Sequence, residues 1–68
     1  MNKIKVLREQ RKITQQQLAR MAGVAQSTIH YIETGQKSPT LKLLEKIALA
    51  LDVSVVDLIE NTQNNISP

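Results

Sequence analysis

Residues 26–34 carry a row of polar side chains that could hydrogen-bond to a ligand. At about 100° per residue on a helix, Ala25, Ile29 and Ile32 gather on one side and five polar residues on the other. We call these five the polar ridge: Gln26, Ser27, His30, Tyr31 and Thr34. An ordinary solvated helix face carries Glu and Lys, whereas the ridge has neither. Its groups can hydrogen-bond to base edges without repelling phosphate. The alternative is a solvated polar surface with no binding function.

Catalysis and metal binding need sets of residues that this sequence lacks. It contains no cysteine and a single histidine, His30, with no cluster of acidic residues beside it. No nucleophile is paired with a base, and no glycine-rich phosphate loop is present. We therefore expect neither an enzyme nor a protein with a metal ion or a cofactor. His30 could donate a hydrogen bond to a phosphate or a base, or it could be an exposed imidazole with no binding function.

The charge of the chain is unevenly distributed. Its 68 residues carry a net charge of +3, made up of +5 over residues 1–37 and −2 over residues 38–68. A basic front half suits a polyanion such as nucleic acid, and an acidic back half would be turned away from it. The length allows one domain, which we place over 1–60 and follow with a short polar tail over 61–68.

The composition also bears on location. The absence of cysteine fits a reducing cytoplasm. The chain opens with Lys3, Lys5 and Arg8 instead of the apolar stretch of a signal peptide. No apolar run approaches the roughly 20 residues that span a bilayer. We therefore expect a cytoplasmic protein with no membrane partner and no small-molecule ligand.

The spacing of apolar and turn-forming residues predicts an all-α fold of five helices, because no segment shows the alternation of a half-buried strand. The predicted spans are 3–12, 14–23, 26–33, 40–51 and 54–60. Thr14 and Gln17 form a capping box at the start of the second helix. Ser54 and Asp57 form another at the start of the fifth. Gly23 can adopt the left-handed conformation that ends the second helix.

The second and third predicted helices are separated by a very short turn of Gly23, Val24 and Ala25. A turn of this length forces a sharp crossing, and the small side chain of Ala19 lets the two helices approach closely. This geometry is that of a helix-turn-helix unit, whose second helix enters the major groove of DNA. The N-terminus of the second helix, at Thr14, would then point free N–H groups at a phosphate. Thr14 as a simple cap is the alternative, and both can hold.

Apolar stripes on the last two helices predict the core and a contact with a second subunit. The inward stripe of the fourth helix is predicted to comprise Leu41, Leu44, Ile47, Ala48 and Leu51. Leu49 falls away from it as a single exposed leucine. On the fifth helix, Leu58 shares a stripe with Val55, and Ile59 shares the neighbouring one with Val56. So short a helix needs only one stripe for its own core. We therefore predict a symmetric homodimer with Val55, Val56 and Ile59 in its interface; a monomer is the alternative.

Several short stretches, in matching order, carry a resemblance to a known family. They are Leu7-Arg8, Ile13-Thr14-Gln15, Leu18-Ala19, Gly23 to Ile29, Ile32 to Gly35, Pro39-Thr40-Leu41, Leu44 to Ala48 and Leu51 to Ser54. Over Ile4 to Ile59 the chain resembles the phage-repressor helix-turn-helix family of Cro, lambda repressor and the Xre-type regulators. The resemblance implies a five-helix lambda-repressor-like DNA-binding domain. It also implies a sequence-specific transcription regulator, expected to be a repressor that binds a near-palindromic operator as a homodimer. An antitoxin-type or restriction–modification controller protein with the same fold is the alternative.

The resemblance also implies roles for individual residues. The implied base contacts are Gln26, Ser27, Thr28 and Tyr31. The implied phosphate contacts are Thr14, Gln15, Thr34, Gln36 and Lys37. Glutamine at the start of the reading helix commonly pairs with adenine, so we expect an A·T pair under Gln26. Relatives often have a polar residue in place of Ala25, so a cap or contact is missing here.

Arg8 and Glu33 match a pair that forms an internal salt bridge between the first and third helices of relatives. The residue types support such a pair independently, because Glu33 lies at the border of the apolar side of its helix. A lone carboxylate there would repel phosphate, and burying it without a partner would be costly. An exposed acid at Glu33 is the alternative.

Overall fold

A computed structural model describes residues 1–59 and shows five α-helices and no strand in that range. The helices are α1 (Asn2–Gln10), α2 (Gln15–Ala22), α3 (Gln26–Glu33), α4 (Leu41–Leu51) and α5 (Val55–Leu58). The predicted all-α, five-helix fold is thereby confirmed. The prediction for α1 ran two residues too far, because the backbone turns at Arg11 and Lys12 has a positive φ of 58°. Glu60 and the predicted tail over 61–68 lie outside the described residues.

Local hydrogen bonds set the ends of the helices that carry the turn. Thr14 Oγ1 accepts from the backbone N–H of Gln17 at 3.0 Å, and Gln17 Oε1 accepts from the N–H of Thr14 at 2.9 Å. This is the predicted capping box. Gly23 then ends α2 with a φ of +74°, a conformation that costs side-chain-bearing residues free energy. Ala25 stands at the N-cap of α3 without a side-chain hydrogen bond, as its residue type predicts.

An aliphatic core holds the five helices together. The fully buried side chains are Ile4, Leu18, Ile29, Ile32, Ile47, Leu51 and Leu58. α2 packs against both α3 and α4, while α1 contacts α3 and α5. Burial of one such side chain contributes about 1.5–3 kcal/mol, so α3 is held firmly through its inner face. The outer face of α3 is left to the solvent.

Leu41 departs from the predicted stripe of α4. Its side chain is 66% exposed, whereas Leu44, one turn further on, reaches the core. Leu41 is the first residue of α4, and periodicity placed it wrongly because it identifies a face of a helix and not the residues of that face that find packing partners. Leu49 is exposed, as predicted. Within residues 1–59, no helix has the length and apolar character needed to cross a membrane.

Candidate nucleic-acid interface

The polar ridge lies on the solvent side of α3. All five of its side chains are exposed, and Ile29 and Ile32 on the opposite side are buried. Tyr31 is therefore a surface residue and not a core residue, as its position on the helix predicts. Thr28 lies at the border and is half-buried. The helix thus presents amide, hydroxyl, imidazole and phenol groups along one exposed row.

The loop after α3 folds back onto the end of the ridge. The carbonyl oxygen of Tyr31 accepts from the backbone N–H groups of Gln36 at 2.8 Å and Lys37 at 3.1 Å. Thr34 Oγ1 donates to the same oxygen at 3.2 Å and accepts from Gln36 Nε2 at 3.1 Å. These bonds bring Thr34, Gln36 and Lys37, three of the predicted phosphate contacts, next to a predicted base contact.

The aromatic ring of Tyr31 lies close to the side chains of His30 and Lys37. Lys37 Nζ lies 5.9 Å from the ring centroid, at the outer limit of a cation–π contact. The His30 ring meets it edge-on, with 5.5 Å between centroids. The exposed Tyr31 ring thus has one cationic and one aromatic neighbour.

The N-terminus of α2 brings together the other two predicted phosphate contacts. Thr14 caps the helix, and Gln15 Nε2 donates to Glu33 Oε1 at 3.0 Å. The side chain of Gln15 therefore has one amide hydrogen left for a ligand. The backbone N–H groups of Gln15 and Gln16, in the first turn of α2, have no intrahelical acceptor. Free N–H donors at a helix N-terminus are groups of the kind that hydrogen-bond to anions.

A buried ion pair joins these parts. Arg8 Nε donates to Glu33 Oε2 at 2.7 Å, and Arg8 Nη2 donates to Glu33 Oε1 at 3.1 Å. The Glu33 side chain is only 2% exposed. Arg8 Nη1 also donates to the carbonyl oxygen of Ile13 at 2.8 Å. The predicted salt bridge is thus confirmed, and it ties α1 to α3 and to the turn before α2.

The bond from Gln15 to Glu33 was not predicted from the sequence, where the family resemblance implied only a phosphate contact for Gln15. The two residues are 18 positions apart, and glutamine in a first helical turn is usually solvated. No pattern in the sequence indicates this bond. It depends on how closely α2 and α3 pack.

The ionisation of the pair follows from its contacts. Burial raises the pKa of Glu33, but the hydrogen bonds from Arg8 and Gln15 and the charge of Arg8 outweigh it, so the pKa is lowered overall. The hydrogen bond to Glu33 raises the pKa of Arg8. Both groups are therefore charged at neutral pH. Since Glu33 is the single carboxylate of α3, the exposed face of this helix carries no negative charge.

The second apolar stripe of α5 is exposed, as predicted. Val56 is 57% exposed and Ile59 is also exposed, whereas Leu58 is buried in the core. Val55, the third residue predicted to lie in a dimer interface, is half-buried and packs against the core. Among residues 1–59, no group of three or more His, Cys, Asp or Glu residues could hold a metal ion.

Comparisons with known proteins agree with this architecture. A family model described as Helix-turn-helix matches residues 4–58. An uncharacterized HTH-type transcriptional regulator of Methanocaldococcus jannaschii is 42% identical over 57 residues, which cover 84% of this chain and 86% of the relative. The cryptic phage CTXphi transcriptional repressor RstR of Vibrio cholerae is 34% identical over 65 residues, covering 96% of this chain and 59% of the repressor.

A solved structure shows the same fold. The N-terminal DNA-binding domain of SinR from Bacillus subtilis superposes with a TM-score of 0.74 at 38% sequence identity, covering 81% of this chain and 83% of that domain. The fold and the exposed α3 thus define a helix-turn-helix DNA-binding domain. The chain belongs to the Helix-turn-helix family, and its resemblance to the phage-repressor, Xre-type members is confirmed.

Replacing Glu33 by alanine is expected to lower the free energy of unfolding by about 3–5 kcal/mol, because Arg8 would stay buried without its partner. Urea unfolding at neutral pH measures the loss. Glu45 is an exposed acid on α4, and Glu45→Ala, as a matched control, should change stability by less than about 0.5 kcal/mol. Similar losses for the two variants would contradict a structural role for Glu33.

The stability of the fold is also expected to depend on pH through Glu33. Because folding lowers its pKa, its stabilising contribution is complete above the unfolded value of about 4.3 and disappears as the pH falls through the folded value. The unfolding free energy should therefore fall in acid, and less steeply in Glu33→Gln. Some slope should remain from Asp57, whose pKa is lowered by hydrogen bonds from Ser54. Identical pH profiles for wild type and Glu33→Gln would be evidence against the charged pair.

Proposed function

We propose that this protein is a transcriptional repressor that binds double-stranded DNA at a specific, near-palindromic operator as a homodimer. The observation that carries the proposal is the exposed, carboxylate-free ridge on α3, which the core and the Arg8–Glu33 pair hold outward. The names of relatives support repression, since they include RstR and the immunity repressor protein of Bacillus phage phi105. The match covers only 40% of the phi105 repressor, so repression by this chain is proposed and does not follow from that likeness alone.

Base contacts are assigned to the first two turns of α3, at Gln26, Ser27, Thr28 and Tyr31. The amide of Gln26 can donate to and accept from the edge of adenine in the major groove. Tyr31 offers an exposed phenol that lies beside Lys37 and His30. Thr28 is half-buried and has the least surface to offer to a base.

Phosphate contacts are assigned to two groups that flank α3. One is the N-terminus of α2, with Thr14 and the remaining donors of Gln15. The other is the loop with Thr34, Gln36 and Lys37. Contacts on both sides of a groove fix the register of the reading helix on DNA, so the two groups would hold the ridge against the bases.

The homodimer is assigned to the exposed stripe of Val56 and Ile59, with Val55 at its inner edge. In a two-fold dimer the same patch of each subunit meets its copy. The two reading helices would then lie about 34 Å apart, which is one turn of DNA. The operator would therefore be near-palindromic.

Replacing Gln26 or Tyr31 by alanine is expected to weaken operator binding by roughly 1–3 kcal/mol per variant, because each removes a side chain that hydrogen-bonds to a base. The affinity is measured on a site selected from random double-stranded DNA and, in parallel, on DNA of unrelated sequence. Gln10 is exposed at the end of α1, and Gln10→Ala is the matched control with no expected change in affinity. Equal effects on both DNAs would show that the residues do not read bases.

Replacing Lys37 by alanine is expected to weaken binding to all sequences alike and to reduce the slope of log K against log salt by about 0.9. Titrations at several salt concentrations measure this slope. Lys42→Ala, an exposed lysine on α4, is the control and should leave the slope unchanged. A loss confined to the operator, with the slope intact, would mean that Lys37 acts by orienting Tyr31.

Replacing Val56 and Ile59 together by glutamate is expected to give a folded monomer with much weaker operator binding, because two like-charged patches would meet in the dimer. Sedimentation equilibrium and DNA titration measure the two effects. Leu41→Glu introduces the same charge at another exposed apolar position and should not change the assembly state. A wild-type protein that is already monomeric at micromolar concentration would refute the proposed dimer.

A further inference from the structure

A second apolar surface lies away from the polar ridge and from the exposed stripe of α5. Two neighbouring hollows share Arg20 and Met21 and together run from the turn before α2 to the last turns of α4. We call them the α2–α4 trough. Its apolar lining includes Ile13, Met21 and Leu49. Met21 is 54% exposed and Leu49 is 83% exposed.

The trough lies apart from the polar ridge and from the exposed stripe of α5, and at one end it reaches Gln17, the capping partner of Thr14. No residue of α3 or α5 lines either hollow among residues 1–59, and no residue of the loop after α3 does so. A single exposed leucine needs no explanation. Met21 and Leu49 line the same hollow, so together they offer a partner one joined apolar surface.

The charges around the trough have one sign. Lys12, Arg20 and Lys46 line the two hollows, and no described carboxylate does. The nearest acids along α4 are Glu45 and Asp52, and both stay outside the lining. An apolar floor with a basic rim is complementary to an apolar stripe flanked by acidic side chains.

We propose that the α2–α4 trough binds an acidic amphipathic helix of a partner protein. A helix laid along the trough would bury its apolar stripe on Met21 and Leu49 and place carboxylates near Arg20 and Lys46. DNA would use the cations alone and leave the two apolar side chains in water. A protein helix uses both features, which is why the trough is assigned to a protein partner.

The test uses the full chain and two synthetic helical peptides. Both peptides carry leucine at positions i, i+3, i+4 and i+7; one has glutamate at the remaining positions and the other has lysine. Amide NMR shifts of the labelled protein locate the binding surface, and a titration gives the affinity. We expect the glutamate peptide to shift the signals of Ile13, Met21 and Leu49, and the lysine peptide to bind at least about tenfold more weakly.

Variants of the protein then distinguish the trough from the rest of the surface. Met21→Gln and Leu49→Gln should each lower the affinity for the glutamate peptide about tenfold, because each removes apolar area that the peptide buries. Both positions are exposed, so the variants should keep the wild-type melting temperature and DNA affinity. Leu41→Gln changes another exposed leucine of α4 that lies outside the trough and should have no effect.

Several results would overturn the proposal. One is the absence of binding at millimolar glutamate peptide; another is equal binding of the two peptides. Shifts confined to Val56 and Ile59 would assign the peptide to the stripe of α5. A changed assembly state in Leu49→Gln would assign the trough to a second copy of the chain, and a loss of DNA affinity in Met21→Gln would assign it to DNA.

Discussion

One buried contact, between Arg8 and Glu33, sets how the first three helices are arranged around the polar ridge. A carboxylate on α3 would repel DNA, and burying it alone would be costly. Arg8 neutralises the Glu33 carboxylate and donates two hydrogen bonds to it, and Gln15 donates a third hydrogen bond. Because these bonds join α1, α2 and α3, they fix the N-terminus of α2 relative to the polar ridge. A buried ion pair adds little net stability compared with apolar packing, so its main effects are on geometry and charge.

The features that were predictable from the sequence are those that depend on near neighbours along the chain. The capping residue Thr14 and the terminating Gly23 mark helix ends through bonds within a few residues, and helical periodicity separates the ridge from Ile29 and Ile32. Leu41 shows the limit of periodicity, which describes a face of a helix but not where its packing partners end. Lys12 shows another limit, since a positive φ at a lysine has no signal in residue type.

The candidate site divides in the same way. The ridge follows from residue types on one helix, and the Arg8–Glu33 pair follows from the cost of a lone carboxylate together with the family resemblance. The second role of Gln15 could not be predicted, because it arises where α2 meets α3 across 18 positions. One hydrogen-bond network therefore links Gln15, a predicted phosphate contact, to the buried pair.

In the proposed function, the exposed face of α3 reads bases. The most direct test is the selection of bound sites from a random double-stranded DNA library by the wild-type protein and by Gln26→Ala. Wild type should enrich a near-palindrome with half-sites one helical turn apart, and the variant should lose its preference at one base pair of each half-site. Identical preferences in the two selections, or no enriched site for wild type, would contradict the account.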